Sequence, residues 1–346
     1  MAYTTINKST AHFNTKLYTG TGSENAITGV GFQPDLTWIK NRDTTDWHRL
    51  QDAVRGATKE LYPNANDDES TLAQSLKSFN TDGFTLGTLG EVNTSSENYA
   101  SWNWKAGGGQ GSSNTDGSIN TTYTSVNTTA GFSISTYTGN GTAGATVGHG
   151  LGVVPSMIIV KIRSGDHNNW GVYHKSMGAT KAMYLDQNSA ETTDGWMNNT
   201  APTNQVFSLS GGNYGNVNTY SYVAYCFAEK TGYSKFGSFI GNSSNDGQMV
   251  YLGFKPSFIL LKNTAISSSW LINDNKRNGY NPNSRTITPN TNEAENTGTD
   301  RTDFLATGFK LRVGSSSAWN GSGNKIIYMA FGQSLVGSNN VPCTAR

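Results

Sequence analysis

The chain has 346 residues, enough for two or three domains that each bury a core, and carries 25 Lys and Arg against 24 Asp and Glu, a formal net charge of +1. Charged residues make up only 14% and no long run of Lys or Arg occurs, which argues against an electrostatic grip on nucleic acid or anionic lipid. Forty glycines with abundant Asn, Thr and Ser point to many short strands joined by turns, and sixteen Tyr, fourteen Phe and eight Trp exclude a disordered chain.

The opening MAYTTINKSTAHF lacks a charged segment followed by an apolar one, and no apolar run is long enough to span a bilayer. A soluble protein without membrane insertion and without a general secretory signal is expected. Two cysteines, Cys226 and Cys343, cannot build a disulfide framework.

Three segments share a set of landmarks in the same order. The first has a turn at Tyr18-Thr-Gly-Thr-Gly22, then Pro34 followed six residues later by Lys40, with the apolar run LTWI between them, and then Trp47. Gly56-Ala-Thr-Lys59 with Tyr62, a hairpin at Phe79-Asn-Thr-Asp-Gly-Phe84 and a closing strand Tyr99-Ala-Ser-Trp-Asn-Trp104 complete it.

The second segment repeats the series with Tyr137-Thr-Gly-Asn-Gly141, Pro155 to Lys161 around MIIV, Trp170, Gly178-Ala-Thr-Lys181 with Tyr184, and Tyr222-Val-Ala-Tyr-Cys-Phe227. The third has Phe239-Ile-Gly-Asn242, Pro256 to Lys262 around FILL, Trp270, the hairpin Phe304-Leu-Ala-Thr-Gly-Phe309 and Ile326-Ile-Tyr-Met-Ala-Phe331, without the GATK element. The three prolines lie about a hundred residues apart, too far for solenoid repeats of roughly 20 to 50 residues.

The runs LTWI, MIIV and FILL are apolar on both faces, so each predicts a central strand covered on both sides. In the closing strands, alternation places Ala100, Trp102 and Trp104, then Val223, Tyr225 and Phe227, then Ile327, Met329 and Phe331 on one face. The expected fold is therefore all-β, with three tandem antiparallel β-sandwich domains of jelly-roll or concanavalin-like type. Their expected bounds are 1–106, 131–232 and 233–340, with a flexible Gly/Ser/Thr/Asn linker over 107–130 and a tail at 341–346.

The chemistry-like patterns have plainer explanations. Gly139-Asn-Gly141-Thr-Ala-Gly144 matches a dinucleotide fingerprint, but a glycine-rich loop follows where a helix is required, so it reads as a turn. His12, His48, His149, His167 and His174 have no zinc spacing, and Asp67-Asp68-Glu69 lacks the alternation of a calcium loop. No nucleophile elbow occurs and no carboxylate pair recurs between copies. No catalytic residue, metal site or cofactor is expected, and the chain reads as a protein that is not an enzyme.

Trp47, Trp170 and Trp270 recur in register, which marks either three sugar-stacking sites or three core residues, and a repeated aromatic is usually core. Trp196 and Trp319 are not shared between copies and sit in polar, turn-rich surroundings, so they are the candidate surface contacts.

The phrases FNTKLYTGTG, GVGFQPDLTWIKNR, RGATKELY, SFNTDGFTLG, YASWNWKAGGG, TYTGNGTAGATVGHGLGVVPSMIIVK and YVAYCFAEKTGYSKFGSF resemble a tandem domain of unknown function common in marine bacteriophages, including those of cyanobacteria. The resemblance implies a virion structural protein made in the host cytoplasm, exposed on the capsid or tail as a decoration, cement, fibre or knob element. Its partners would be other virion proteins. The alternative is a tail module that binds host-surface glycans, where three weak sites would gain by avidity. A homo-oligomer would have to be held by domain faces, since no heptad repeat is present.

Overall fold

A computed structural model describes residues 4–336, apart from 166, 213, 299, 300 and 315. The expected tail at 341–346, with Cys343, lies outside the described residues, as do 337–340. The fold is all-β with antiparallel sheets, and each landmark segment builds a sheet of the same strand order. In the first copy the order is Phe13–Thr19, Asn98–Trp104, Leu36–Asn41, Arg49–Asp52. The second repeats it with Phe132–Thr138, Ser221–Phe227, Met157–Ser164, Gly171–His174, and the third with Ser234–Ile240, Lys325–Gln333, Lys255–Asn263, Leu271–Asp274.

Register repeats as well. The residue two past each landmark proline faces the last aromatic of the closing strand: Leu36 opposite Trp104, Met157 opposite Phe227, Phe258 opposite Phe331. Each central strand is buried on both faces, as its unbroken apolar run requires. The outer faces of the large sheets pack on small sheets built around the predicted hairpins. In these, Phe79 pairs with Phe84 and Phe304 with Phe309, while Val206–Leu209 pairs with Ala145–Gly148.

The inner faces meet one another, so that beside the local core of each copy there is one core common to all three. Ala100, Trp102 and Trp104, their counterparts Val223, Tyr225 and Phe227, and Ile327, Met329 and Phe331 all enter one common core. The rings of Trp104, Phe227 and Phe331 form a nearly equilateral triangle with centroid separations of 6.4, 6.2 and 6.0 Å. Equivalent residues of three copies thus surround a pseudo-threefold axis. Burying an aromatic side chain stabilises by about 2–3 kcal/mol, so a copy taken alone would expose a whole face of such residues.

Polar seams bind each copy to the next in a cycle. The backbone amides of Glu69, Glu191 and Glu295 donate to the carbonyls of Arg163, Thr264 and Arg42 at 2.9, 2.9 and 2.8 Å. The Glu69 carboxylate holds Arg55 of its own copy and Arg163 of the second. Glu295 likewise holds Arg277 and Arg285 of its own copy and Arg42 of the first. The acidic run Asp67-Asp68-Glu69 is thus part of a seam, where Glu69 pairs with two arginines.

Two of the three landmark lysines serve the same seams. Lys161 donates to Asn168 O and, across the seam, to Asn66 O; Lys262 donates to Ser268 O and across to Asn188 O. Lys40 bonds within its own copy, to Asn41 O and Thr44 O.

The stretch 107–130, expected as a flexible linker, is tied down. Asp35 accepts hydrogen bonds from the backbone amides of Ala106, Gly108 and Gly109, at 2.7, 2.9 and 2.8 Å. Further on, Tyr123–Asn127 pairs along Phe132–Thr138 and extends the second sheet at its edge. The glycine-rich composition gives the chain the positive φ values it needs there, 85° at Gly108 and 134° at Gly109, rather than freedom.

Candidate functional site

Seven of the eight tryptophans are buried, and Trp47 is the exception at 39% exposure. The sequence register for this residue is one position out. Trp170 Nε1 donates to Tyr62 O and Trp270 Nε1 to Tyr184 O, both at 2.9 Å across a seam. In the first copy the corresponding place, directly before the fourth strand, belongs to His48, whose Nε2 faces Thr288 O at 3.2 Å. His48 Nδ1 accepts from Trp38 Nε1, so the ring is held as the neutral tautomer with Nε2 protonated. Burial drives its pKa well down, with Lys40 adding to the effect. Because adjacent residues of an extended chain point to opposite sides, a histidine facing inward turns Trp47 outward.

Trp47 stands at a polar cleft of about 500 Å³ formed by the loop before the fourth strand, the segment around Tyr62 to Leu72 and the short helix Gly90–Asn93. The Tyr62 ring meets the indole edge-on at 5.4 Å and carries the Arg49 guanidinium 4.8 Å above its face. Arg49 is fixed by the buried Glu60 at 2.6 Å and by Glu91 at 3.1 Å, and its Nε is buried without a hydrogen-bond partner. Glu60 is anchored in turn by Gln51 and Ser75. Asp46 is oriented by Asn41 and Thr44 at 2.7 and 2.8 Å, and Asp67 reaches His167 at 3.9 Å. The cleft therefore offers an exposed aromatic face beside pre-oriented carboxylates and a clamped guanidinium, a set suited to a ligand with both apolar and hydroxyl-bearing surfaces.

The two residues singled out as surface contacts are not on the surface. Trp196 and Trp319 are each 2% exposed, and both belong to local cores, of the second and third copies. Polar neighbours misled because those neighbours satisfy the backbone around a buried indole: Asp194 Oδ1 accepts from the Trp196 amide. Trp319 also has a counterpart. It lies on the helix Ser317–Asn320 one residue before Asn320, as Val92 lies one residue before Asn93 on Gly90–Asn93.

Asn93, Asn216 and Asn320 form a landmark that sequence reading missed. All three are fully buried, and their Oδ1 atoms accept from the turn amides of Thr21, Asn140 and Asn242 at 2.9, 2.8 and 2.9 Å. Their side chains close the aromatic-glycine turn of each copy. The dinucleotide-like Gly139–Gly144 stretch is this turn in the second copy and leads into the strand Ala145–Gly148. Among the described residues no group of three or more His, Cys, Asp and Glu side chains is arranged to hold a metal ion, and no helix is long and apolar enough to cross a membrane.

Residues 8–334 match the model of a domain of unknown function, DUF7483, in one stretch that runs through all three copies. No curated protein and no solved structure matches the chain.

Proposed function

The chain belongs to the DUF7483 family of domains of unknown function, and from that premise we propose that it is a non-catalytic structural protein of a virion surface that contacts saccharides through the Trp47 cleft. A capsid or tail position is part of the proposal, and it draws on the phage-like phrases in the sequence. Support for a structural role comes from where the charged groups sit. Glu69 and Glu295 pair with Arg163 and Arg42 of the neighbouring copy, around a core that all three copies share. The three sheets with their backing hairpins serve as a sandwich-like scaffold for loops.

The observation that carries the saccharide reading is the indole of Trp47, exposed beside fixed polar groups while every other tryptophan is buried. Sugar rings present C–H faces to aromatic platforms and hydroxyls to carboxylates and guanidinium groups. A polysaccharide array probed with the pure protein and with Trp47→Ala tests it. Binding by the wild type that weakens about tenfold or more in the variant supports the reading, and equal binding by both proteins overturns it. Electron cryo-microscopy of intact particles tests the virion position.

A further inference from the structure

Resting on the saccharide reading of the Trp47 cleft, we infer that its ligand is an amino sugar with a free, protonated amine. The cleft wall carries three carboxylates, Asp46, Asp67 and Glu91, against the single guanidinium of Arg49. That guanidinium is already bridged to both Glu60 and Glu91. Asp46 has the buried Lys40 behind it, with its ammonium turned to the carbonyls of Asn41 and Thr44. Asp67, with a side chain 42% exposed, lies 3.9 Å from the exposed His167 and also interacts electrostatically with the buried Lys161. The cleft wall therefore carries more carboxylates than cations.

Two features select an amino sugar over other cations. The exposed face of Trp47 attracts an ammonium group and also stacks on the apolar face of a pyranose. Asp67 supplies a counter-charge in the same cleft. A simple alkylammonium would offer no apolar ring face for the indole, and a neutral sugar would bring no cation to the carboxylates of the wall.

Isothermal titration of the full chain with a glucosamine tetramer, its fully N-acetylated counterpart and cellotetraose, at a pH where the free amine is protonated, decides the matter. The free amine should bind about tenfold more tightly than the acetylated form. Asp67→Asn should shrink that ratio severalfold, and Trp47→Ala should abolish binding of both sugars. Equal affinity for the first two sugars overturns the amine assignment and leaves the saccharide reading standing. Absence of binding to all three overturns both. A preference that persists unchanged in Asp67→Asn and Trp47→Ala marks general charge attraction and also overturns the assignment.

Discussion

The indole N–H of Trp102, in the first copy, donates to Asp274 Oδ2 in the third at 3.0 Å, across 172 residues of sequence. The same carboxylate holds Arg277, whose guanidinium carbon lies 5.6 Å from the centre of the Trp102 ring. The next seam repeats the device with Tyr225, Asp52 and Arg55. At the remaining seam the donor position is Met329, which cannot donate, and His174 Nε2 bonds instead to the backbone carbonyl of Tyr328 at 3.1 Å.

Removing Asp274 should be far more damaging than removing the indole donor. Asp274→Ala leaves a buried guanidinium without its nearest counter-charge and should cost about 3–5 kcal/mol. Trp102→Phe loses one buried hydrogen bond and should cost about 1–3 kcal/mol. Urea unfolding monitored by circular dichroism measures both, and equal losses would mean that Asp274 serves Trp102 alone.

Acid should loosen the ring in two windows. Burial pulls the His174 pKa from 6.5 down to about 4, helped by Lys175 and Lys325 against the bond to Tyr328 O. A histidine kept neutral in the fold makes stability fall as pH drops from its unfolded value towards its folded one, by about 3 kcal/mol here. His174→Gln should flatten that slope. Glu69 and Glu295 are pushed up by burial, but their arginine partners outweigh it and hold both below the usual carboxylate range. Their contribution is present above the unfolded carboxylate pKa and is lost as pH falls through the folded values. Glu295→Gln should reduce the loss seen in that lower window, measured by denaturant titrations across a pH series.

Trp196 and Trp319 should matter for stability and not for ligand. Trp196→Ala and Trp319→Ala each empty a core position and should cost about 3–5 kcal/mol. The corresponding Phe variants should fold and bind saccharide as the wild type does. A Phe variant that folds but loses binding would return its tryptophan to the ligand site.

The glycine-rich stretch 107–117 should resist proteolysis in the native protein. Asp35→Ala removes the acceptor for three backbone amides, and this stretch should then become the first site of cleavage. Mass spectrometry of limited digests reads the outcome, and early cleavage there in the wild type would show that the tether is weak.

Much of the fold was legible in the sequence because strand alternation writes burial directly into residue order. The placement of Trp102 and Trp104 on one face, the double burial of LTWI, MIIV and FILL, and the hairpins at Phe79–Phe84 and Phe304–Phe309 all followed from it. The site was not legible. Trp47 lies seven residues after Lys40, while Trp170 and Trp270 lie nine and eight after Lys161 and Lys262. That spacing could not show which way Trp47 faces, because Trp170 and Trp270 differ by one residue as well and both point inward. Trp196 and Trp319 misled because polar loops cover a core as readily as they display a side chain.

Residue order by itself determined the strands, their faces and the threefold recurrence of landmarks, since each of these depends on neighbours a few positions apart. Only the tertiary structure decided that the three inner faces close on one another around Trp104, Phe227 and Phe331. It also decided that Glu69 and Glu295 reach arginines in the next copy, and that the inward place at the first seam goes to His48. Those outcomes depend on contacts between segments a hundred residues or more apart, and an alternating pattern states that a face must be covered without stating by what.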